Sequence, residues 1–208
     1  LGLDCRRIAE VFSLSDRLLD LETVTAWIPR RPRNSHKGIF GRLLLLCGSQ
    51  AYRGAASLAC EAALRSGAGL TILASPPSVL ELALSRSPEI VTLPMPEFGT
   101  HDRDKAEQVY QLADGSDAVL IGCGLGRGKD IGGIVEFVLE NADCPIVIDA
   151  DGLNCISENP EVLKKAKRTP IITPHMGEMA RFCKVSIPET VERRIEIASE
   201  AAKEYEAI

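Results

Sequence analysis

The sequence predicts an α/β protein built on a mainly parallel sheet flanked by helices (α/β/α). Three observations carry that expectation. Short apolar runs alternate with helical stretches of about ten residues, the pattern of strand–helix–strand units. The clearest run, Leu43-Leu44-Leu45-Leu46-Cys47, is apolar throughout, as suits a strand buried on both faces. Four of the strand ends lead into loops of unusual composition, and open parallel sheets bind ligands at the carboxyl ends of their strands.

Residues 4–21 carry apolar positions Ile8, Val11, Phe12, Leu14, Leu18, Leu19 and Leu21, a helical stripe. Residues 25–34 are rich in Pro and Arg and read as an extended connector. The run 43–47 is the first strand and ends in Gly48-Ser49. Residues 55–66 are Ala-rich without internal Gly or Pro and close at Gly67 and Gly69, a helix with a glycine stop. Strands are expected over 70–74, 89–93, 118–121, 145–148 and 171–172. Helices are expected over 78–85, 102–113, 131–141, 160–166 and 177–182, and from 189 to the end. No repeat or low-complexity tract interrupts this order.

A length of 208 residues suits one domain large enough to bury a core. Residues 1–24 read as an N-terminal helix and linker, and 25–208 as the domain. The chain opens on Leu1 rather than Met, which suggests a fragment or the tail of a longer polypeptide. It closes on an amphipathic helix where the alternation requires a strand, so the fold is expected to be incomplete at its C-terminus.

Hydrophobic residues make up 45% and charged residues 25%, the balance of a soluble globular protein rather than a disordered one. A net charge of −5 leaves no electrostatic footprint for nucleic acid. The one basic run, Arg30-Arg31-Pro32-Arg33 with Lys37, is short and proline-broken, and reads as a solvated linker. Seven cysteines, an odd number without a CxxC pair, argue against a disulfide framework and for a reducing cytoplasm. No stretch approaches the ~18 apolar residues of a membrane span, and no secretory signal opens the chain.

The chemistry is expected in four loops. The first, Gly48-Ser49-Gln50-Ala51-Tyr52-Arg53-Gly54-Ala55, runs from a strand into a helix, whose first N–H groups could meet an anion. A plain turn explains it equally well. The second, Gly122-Cys123-Gly124-Leu125-Gly126-Arg127-Gly128, holds four glycines in seven residues, more than a turn needs. Such density points to close ligand approach or repeated positive φ. It is neither a Walker loop nor a full dinucleotide fingerprint. The third, Asp149-Ala150-Asp151-Gly152-Leu153-Asn154, clusters two carboxylates and an amide that could hold Mg²⁺ through water or bond a substrate hydroxyl. The plainer alternative makes one Asp the cap of a short helix around Leu153. The fourth, Thr173-Pro174-His175-Met176-Gly177-Glu178, places His175 between a strand and a helix start. Glu178 is there either a third-position capping residue or the orienter of a metal-bound water.

These loops, in this order, resemble the ADP/ATP-dependent NAD(P)H-hydrate dehydratases of the ribokinase-like superfamily. Ser35-His36-Lys37-Gly38, Phe40-Gly41-Arg42, Gly48-Ser49, Tyr52, Gly54-Ala55 and the run from Ala62 to Leu70 are similar to the opening of that domain. The glycine loop resembles its Gly-Pro-Gly-Leu-Gly, the aspartate loop its Asp-Ala-Asp-Ala-Leu-Asn, and the histidine loop its Thr-Pro-His-Pro-Gly-Glu. The resemblance covers about residues 25–185, and the core nucleotide-handling segment is 36–182.

The resemblance implies a lyase that repairs the hydrated cofactors NADHX and NADPHX with ADP or ATP as co-substrate and Mg²⁺. It implies substrate contacts at Ala55, Gly124 and His175, with Asp149, Asp151 and Asn154 on the same rim. Gly122, Gly126 and Glu178 fall on the nucleotide and phosphate side, with Glu178 organising the metal through water. It also implies a homo-oligomer, often a tetramer, with no nucleic-acid or membrane partner.

Cys123 and Met176 replace prolines of the family pattern, which loosens two loops without removing a functional group. The Lys-Gly-rich nucleotide segment and the Gly-x-Gly-Asp helix start that supplies the family's catalytic Asp do not occur in these 208 residues. Phosphoryl transfer by this chain alone is therefore expected to fail, and the activity is expected of a longer parent. Two other readings stand beside this one. A hydroxymethylpyrimidine- or sugar-type kinase of the same superfamily would carry Asn where His175 stands, and a non-catalytic nucleotide-binding module would need no catalytic Asp.

Overall fold

The computed structural model describes residues 20–28, 30–95, 103–126 and 129–208. Most of the expected helix over 4–21, the end of the glycine-rich loop at Arg127-Gly128, and Asp102 lie outside the described residues.

Six strands form one parallel sheet: β1 (Arg42–Leu46), β2 (Leu70–Ser75), β3 (Val91–Pro94), β4 (Ala118–Ile121), β5 (Ile146–Ile148) and β6 (Ile171–Ile172). Their order across the sheet is β3-β2-β1-β4-β5-β6, with every neighbouring pair parallel. The α/β fold predicted from the apolar runs is the fold observed. The chain moves outward from β1 through β2 to β3, then returns to β4 on the other side of β1. The chain leaving β1 and the chain leaving β4 therefore run to helices on opposite faces of the sheet, the switch point at which such sheets bind ligands.

The helices are α1 (Leu21–Trp27), α2 (Arg53–Ser66), α3 (Pro77–Arg86), α4 (Arg103–Asp114), α5 (Lys129–Asn141), α6 (Asp151–Ile156), α7 (Met176–Phe182) and α8 (Val191–Glu204). Expected and observed bounds agree within about two residues for most elements, the usual scatter of element ends. Residues 160–165 form a 3₁₀ turn rather than an α-helix. The larger difference is α1, which occupies part of the expected connector. The Asp20 side chain accepts from the Thr23 N–H at 2.8 Å and starts a helix before the prolines. None of its residues is buried.

Alternate residues of each strand serve two cores. Leu44, Leu46, Val119, Ile121, Ile146 and Ile148 face α4 through α8. The last helix is fastened to this layer: Ile197 and Ala201 are buried, and Tyr205 meets Phe182 edge-to-face at 5.0 Å. On the other face, Leu45, Cys47 and Leu73 pack beneath α2 and α3. That layer covers only half of the sheet. Leu45, Leu120, Val147 and Ile171 stand in register across β1, β4, β5 and β6. Leu45 is fully buried, whereas the other three are half-buried.

Two smaller contacts shape the edges. The Arg31 guanidinium lies 4.0 Å from the Phe40 ring centre and bonds the Gly67 carbonyl, so one member of the basic run is structural. The Ile208 N–H donates to the Pro170 carbonyl and the Ile208 carbonyl accepts from the Ile172 N–H, both in the parallel pattern along β6. No disulfide joins the cysteines among the described residues. No helix among them is long and apolar enough to cross a membrane.

Candidate functional site

Four loops meet at the carboxyl ends of β1, β4, β5 and β6, which are neighbours in the sheet. Each is bonded to the next. The Gly48 N–H donates to the Cys123 carbonyl at 2.9 Å, and the Ser49 hydroxyl donates to the Gly124 carbonyl at 2.9 Å. The Gly126 N–H donates to Asp151 Oδ2 at 2.9 Å, joining the glycine loop to the aspartate loop. The Thr173 hydroxyl donates to Asp149 Oδ1 at 2.8 Å, joining the aspartate loop to the histidine loop.

The glycines divide into two groups. Gly122 has φ +127, and a Cβ there would lie 1.9 Å from the Asp149 carbonyl oxygen. Gly124 has φ +69, and its Cβ would lie 2.8 Å from those of Ala55 and Tyr52. Packing within the protein therefore requires both glycines, and Gly124 sits directly against Ala55. Around Gly126 a Cβ would meet nothing closer than 3.8 Å, so that position is open.

The aspartates point to different partners. Asp149 accepts from Thr173 and, at 3.3 Å, from the Cys123 thiol. Asp151 accepts from Gly126. Neither caps α6. Its N-cap is Ala150, which makes no side-chain cap bond, so the capping alternative for these carboxylates is not realised. Ala150 carries φ 47, ψ −115, a conformation costly for a residue with a Cβ. The turn between the two carboxylates is thus held under strain by its surroundings.

His175 is the N-cap of α7. Its Nδ1 accepts from the N–H of Gly177 at 3.0 Å and of Glu178 at 3.4 Å, and Glu178 Oε2 accepts from the His175 N–H at 2.9 Å. This reciprocal arrangement is a capping box with His in place of Ser or Thr. An accepting Nδ1 puts the ring proton on Nε2, which lies 3.2 Å from Glu178 Oε1. Glu178 is buried while the His175 ring stays largely in solvent. The capping role foreseen for Glu178 is present.

Asn154 is tied to α7. Its Oδ1 accepts from Arg181 Nε at 3.2 Å and Nη2 at 2.9 Å. Sequence reasoning passed over Arg181, Ser49 and Thr173 as individual candidates. Ser49 and Thr173 lie inside the loops that it selected, whereas Arg181 lies a turn beyond its loop and carries no local signal.

An apolar groove of about 690 Å³ runs along the half-covered face, from Leu43 and Leu120 to Ala55, Cys123, Asp149 and Thr173 at the strand ends. The volume falls within the range of small-molecule sites. The buried Cys47 is held well above the usual thiol range by the neighbouring Cys123 thiol, which lines the groove, and by burial. No cluster of three or more His, Cys, Asp or Glu that could hold a metal occurs among the described residues. Magnesium, however, is commonly held by one or two carboxylates with the rest of its shell from substrate phosphates and water. The donor set here fits that partial role and not a protein cage.

Residues 43–208 match the family model described as NAD(P)H-hydrate dehydratase. The bifunctional NAD(P)H-hydrate repair enzyme Nnr of Moorella thermoacetica is 36% identical over 194 residues, 92% of this chain and 37% of that protein. The ADP-dependent (S)-NAD(P)H-hydrate dehydratase of Bacillus subtilis is 34% identical over 189 residues, 90% of this chain and 63% of that one. A crystal structure of the Bacillus subtilis ADP/ATP-dependent dehydratase, co-crystallised with ATP/Mg²⁺, superposes with a TM-score of 0.73 at 30% identity, covering 94% of this chain and 66% of that one. A ribokinase-like protein of Enterococcus faecalis superposes at 0.74 with 23% identity, a likeness of fold. The chain thus spans about a third to two thirds of the length of these relatives.

Proposed function

The chain belongs to the NAD(P)H-hydrate dehydratase family, and we propose that it carries the substrate side of a site that dehydrates NADHX and NADPHX at the expense of ADP or ATP. The observation that supports this most is the bonded series of four loops at the strand ends, with Ala55 against Gly124 and the His175 ring held in solvent by Glu178.

The chemistry follows from the leaving group. Hydroxide departs poorly from the hydrated ring, whereas phosphate departs well. Transfer of a phosphoryl group from the nucleotide to the ring hydroxyl, then loss of phosphate with a ring proton, restores the double bond and the reduced cofactor. In this reading Ala55 and Gly124 form the small-residue wall against which the ring lies, and His175 contacts the substrate. Gly122 and Gly126 lie on the nucleotide side, and Glu178 is the residue that would hold Mg²⁺ through water, which on binding would neutralise charge on the phosphates. Asp149 and Asp151 fix loop geometry in this scheme. A cytoplasmic setting and a homo-oligomeric state belong to the same proposal.

The test is direct. The protein is mixed with NADHX, Mg²⁺ and either ADP or ATP, the return of reduced-nicotinamide absorbance is followed, and NADHX binding is measured in parallel by calorimetry. Recovery with either nucleotide supports the reading, as does specific binding of NADHX. Absence of both results would sink it.

A further inference from the structure

Arg181 is exposed on α7, one turn beyond the buried Glu178 and between the buried Met179 and Phe182 in sequence. Two of its nitrogens are occupied by one neutral oxygen, Asn154 Oδ1, offered from α6 at 3.2 and 2.9 Å. The amide orders the guanidinium without cancelling its charge, and Arg181 makes no ion pair among the described residues. Its third nitrogen is turned over the Gly177 turn. A Cβ on Gly177 would lie 3.6 Å from Arg181 Nη1 and 3.0 Å from His175 Cε1. The guanidinium and the His175 imidazole thus flank the same bare glycine.

A plain tie between two short helices would explain the Asn154 contact, but weakly. Ordering a long side chain costs about what an exposed hydrogen bond to a neutral acceptor returns. An arginine pre-ordered with its charge intact is instead a receptor for a phosphate oxygen, since its planar fork loses little further freedom on binding.

We infer that Arg181 binds a phosphate group of the dinucleotide substrate, with Asn154 as its positioning residue. The inference rests on the function proposed above and adds the group that reads the substrate's charge. It also reassigns Asn154, foreseen as a direct substrate contact, to acting through Arg181. Two phosphate sources share this chemistry: the diphosphate bridge of both hydrates, and the 2′-phosphate of NADPHX alone.

The experiment is a calorimetric titration of the wild-type chain and of Arg181→Ala, Arg181→Lys, Asn154→Leu and the Ala/Leu double variant with NADHX and NADPHX, at low and high salt. Arg181→Ala is expected to weaken binding about 10- to 100-fold and to flatten its salt dependence. Arg181→Lys should recover part of the loss, because it keeps the charge but not the fork. Asn154→Leu should cost about 3- to 10-fold through lost pre-ordering, and nothing further in the double variant. Loss with both hydrates identifies the diphosphate and loss with NADPHX alone the 2′-phosphate; both outcomes support the inference. Unchanged affinity of Arg181→Ala for both hydrates overturns it. So do additive losses that follow a falling melting temperature and are not relieved by lysine. Failure of the wild-type chain to bind either hydrate would remove the inference together with the function on which it rests.

Discussion

His175 and the two aspartates show what a single residue reveals before folding and what it does not. His175 stands between a strand and a helix in the sequence, and that position already set it apart from a core histidine. Its use as an N-cap was less legible, because histidine is not among the residues that usually cap helices. The roles of Asp149 and Asp151 were not legible at all. They depend on Thr173, Cys123 and Gly126, which lie 24 to 26 positions from the aspartates they bond and arrive only with the sheet. A buried thiol gives a prediction at this scale. Burial pushes Cys60 from an ordinary value of 9.0 up to about 11. The folded chain therefore keeps a proton that the unfolded chain loses, so this contribution is whole below pH 9 and falls away between about 9 and 11. Urea denaturation across that window should show stability falling by about 2 kcal/mol from this group, with Cys47 adding in the same direction. Cys60→Ala should remove part of the slope, and an unchanged slope would contradict the assignment.

At the scale of elements, the continuous apolar runs located the strands well, since a strand buried on both faces has no competing pattern. Order across the sheet was another matter. Local sequence carries no sign that β4 should return to the side of β1 away from β2 and create the crevice. The glycine-rich loop was read as a sign of ligand approach, and the folded loop gives a different reason for part of it. Gly122 and Gly124 are demanded by neighbouring loops of the same chain. The contrast is measurable. Gly122→Ala drives a Cβ into the Asp149 carbonyl and should cost more than about 3 kcal/mol or prevent folding. Gly126→Ala meets only its positive φ and should cost about 1 kcal/mol. Chemical denaturation of the two variants would reverse the argument if their costs were equal.

Across the whole molecule, the described residues cover one face of the sheet and half of the other. The alternation of strands and helices announced a layered fold, but not that Leu120, Val147 and Ile171 would remain half-buried beside the α2 layer. Neighbours in sequence should consequently differ in tolerance. Val147→Thr, on the half-covered face, is expected to cost less than about 1 kcal/mol, whereas Ile148→Thr, at 0% exposure, should cost about 2–4 kcal/mol. Similar melting temperatures for the two variants would mean that the face is closed in solution. The central claim, that the strand-end loops form the substrate side of an NAD(P)H-hydrate site, is tested most directly by titrating NADHX and ADP separately into wild-type protein and His175→Ala. NADHX should bind the wild type and lose at least about 10-fold in affinity on substitution, with ADP binding unchanged between the two. Equal loss of both ligands would make His175 a helix cap and nothing more, and no binding of NADHX to the wild type would contradict the claim outright.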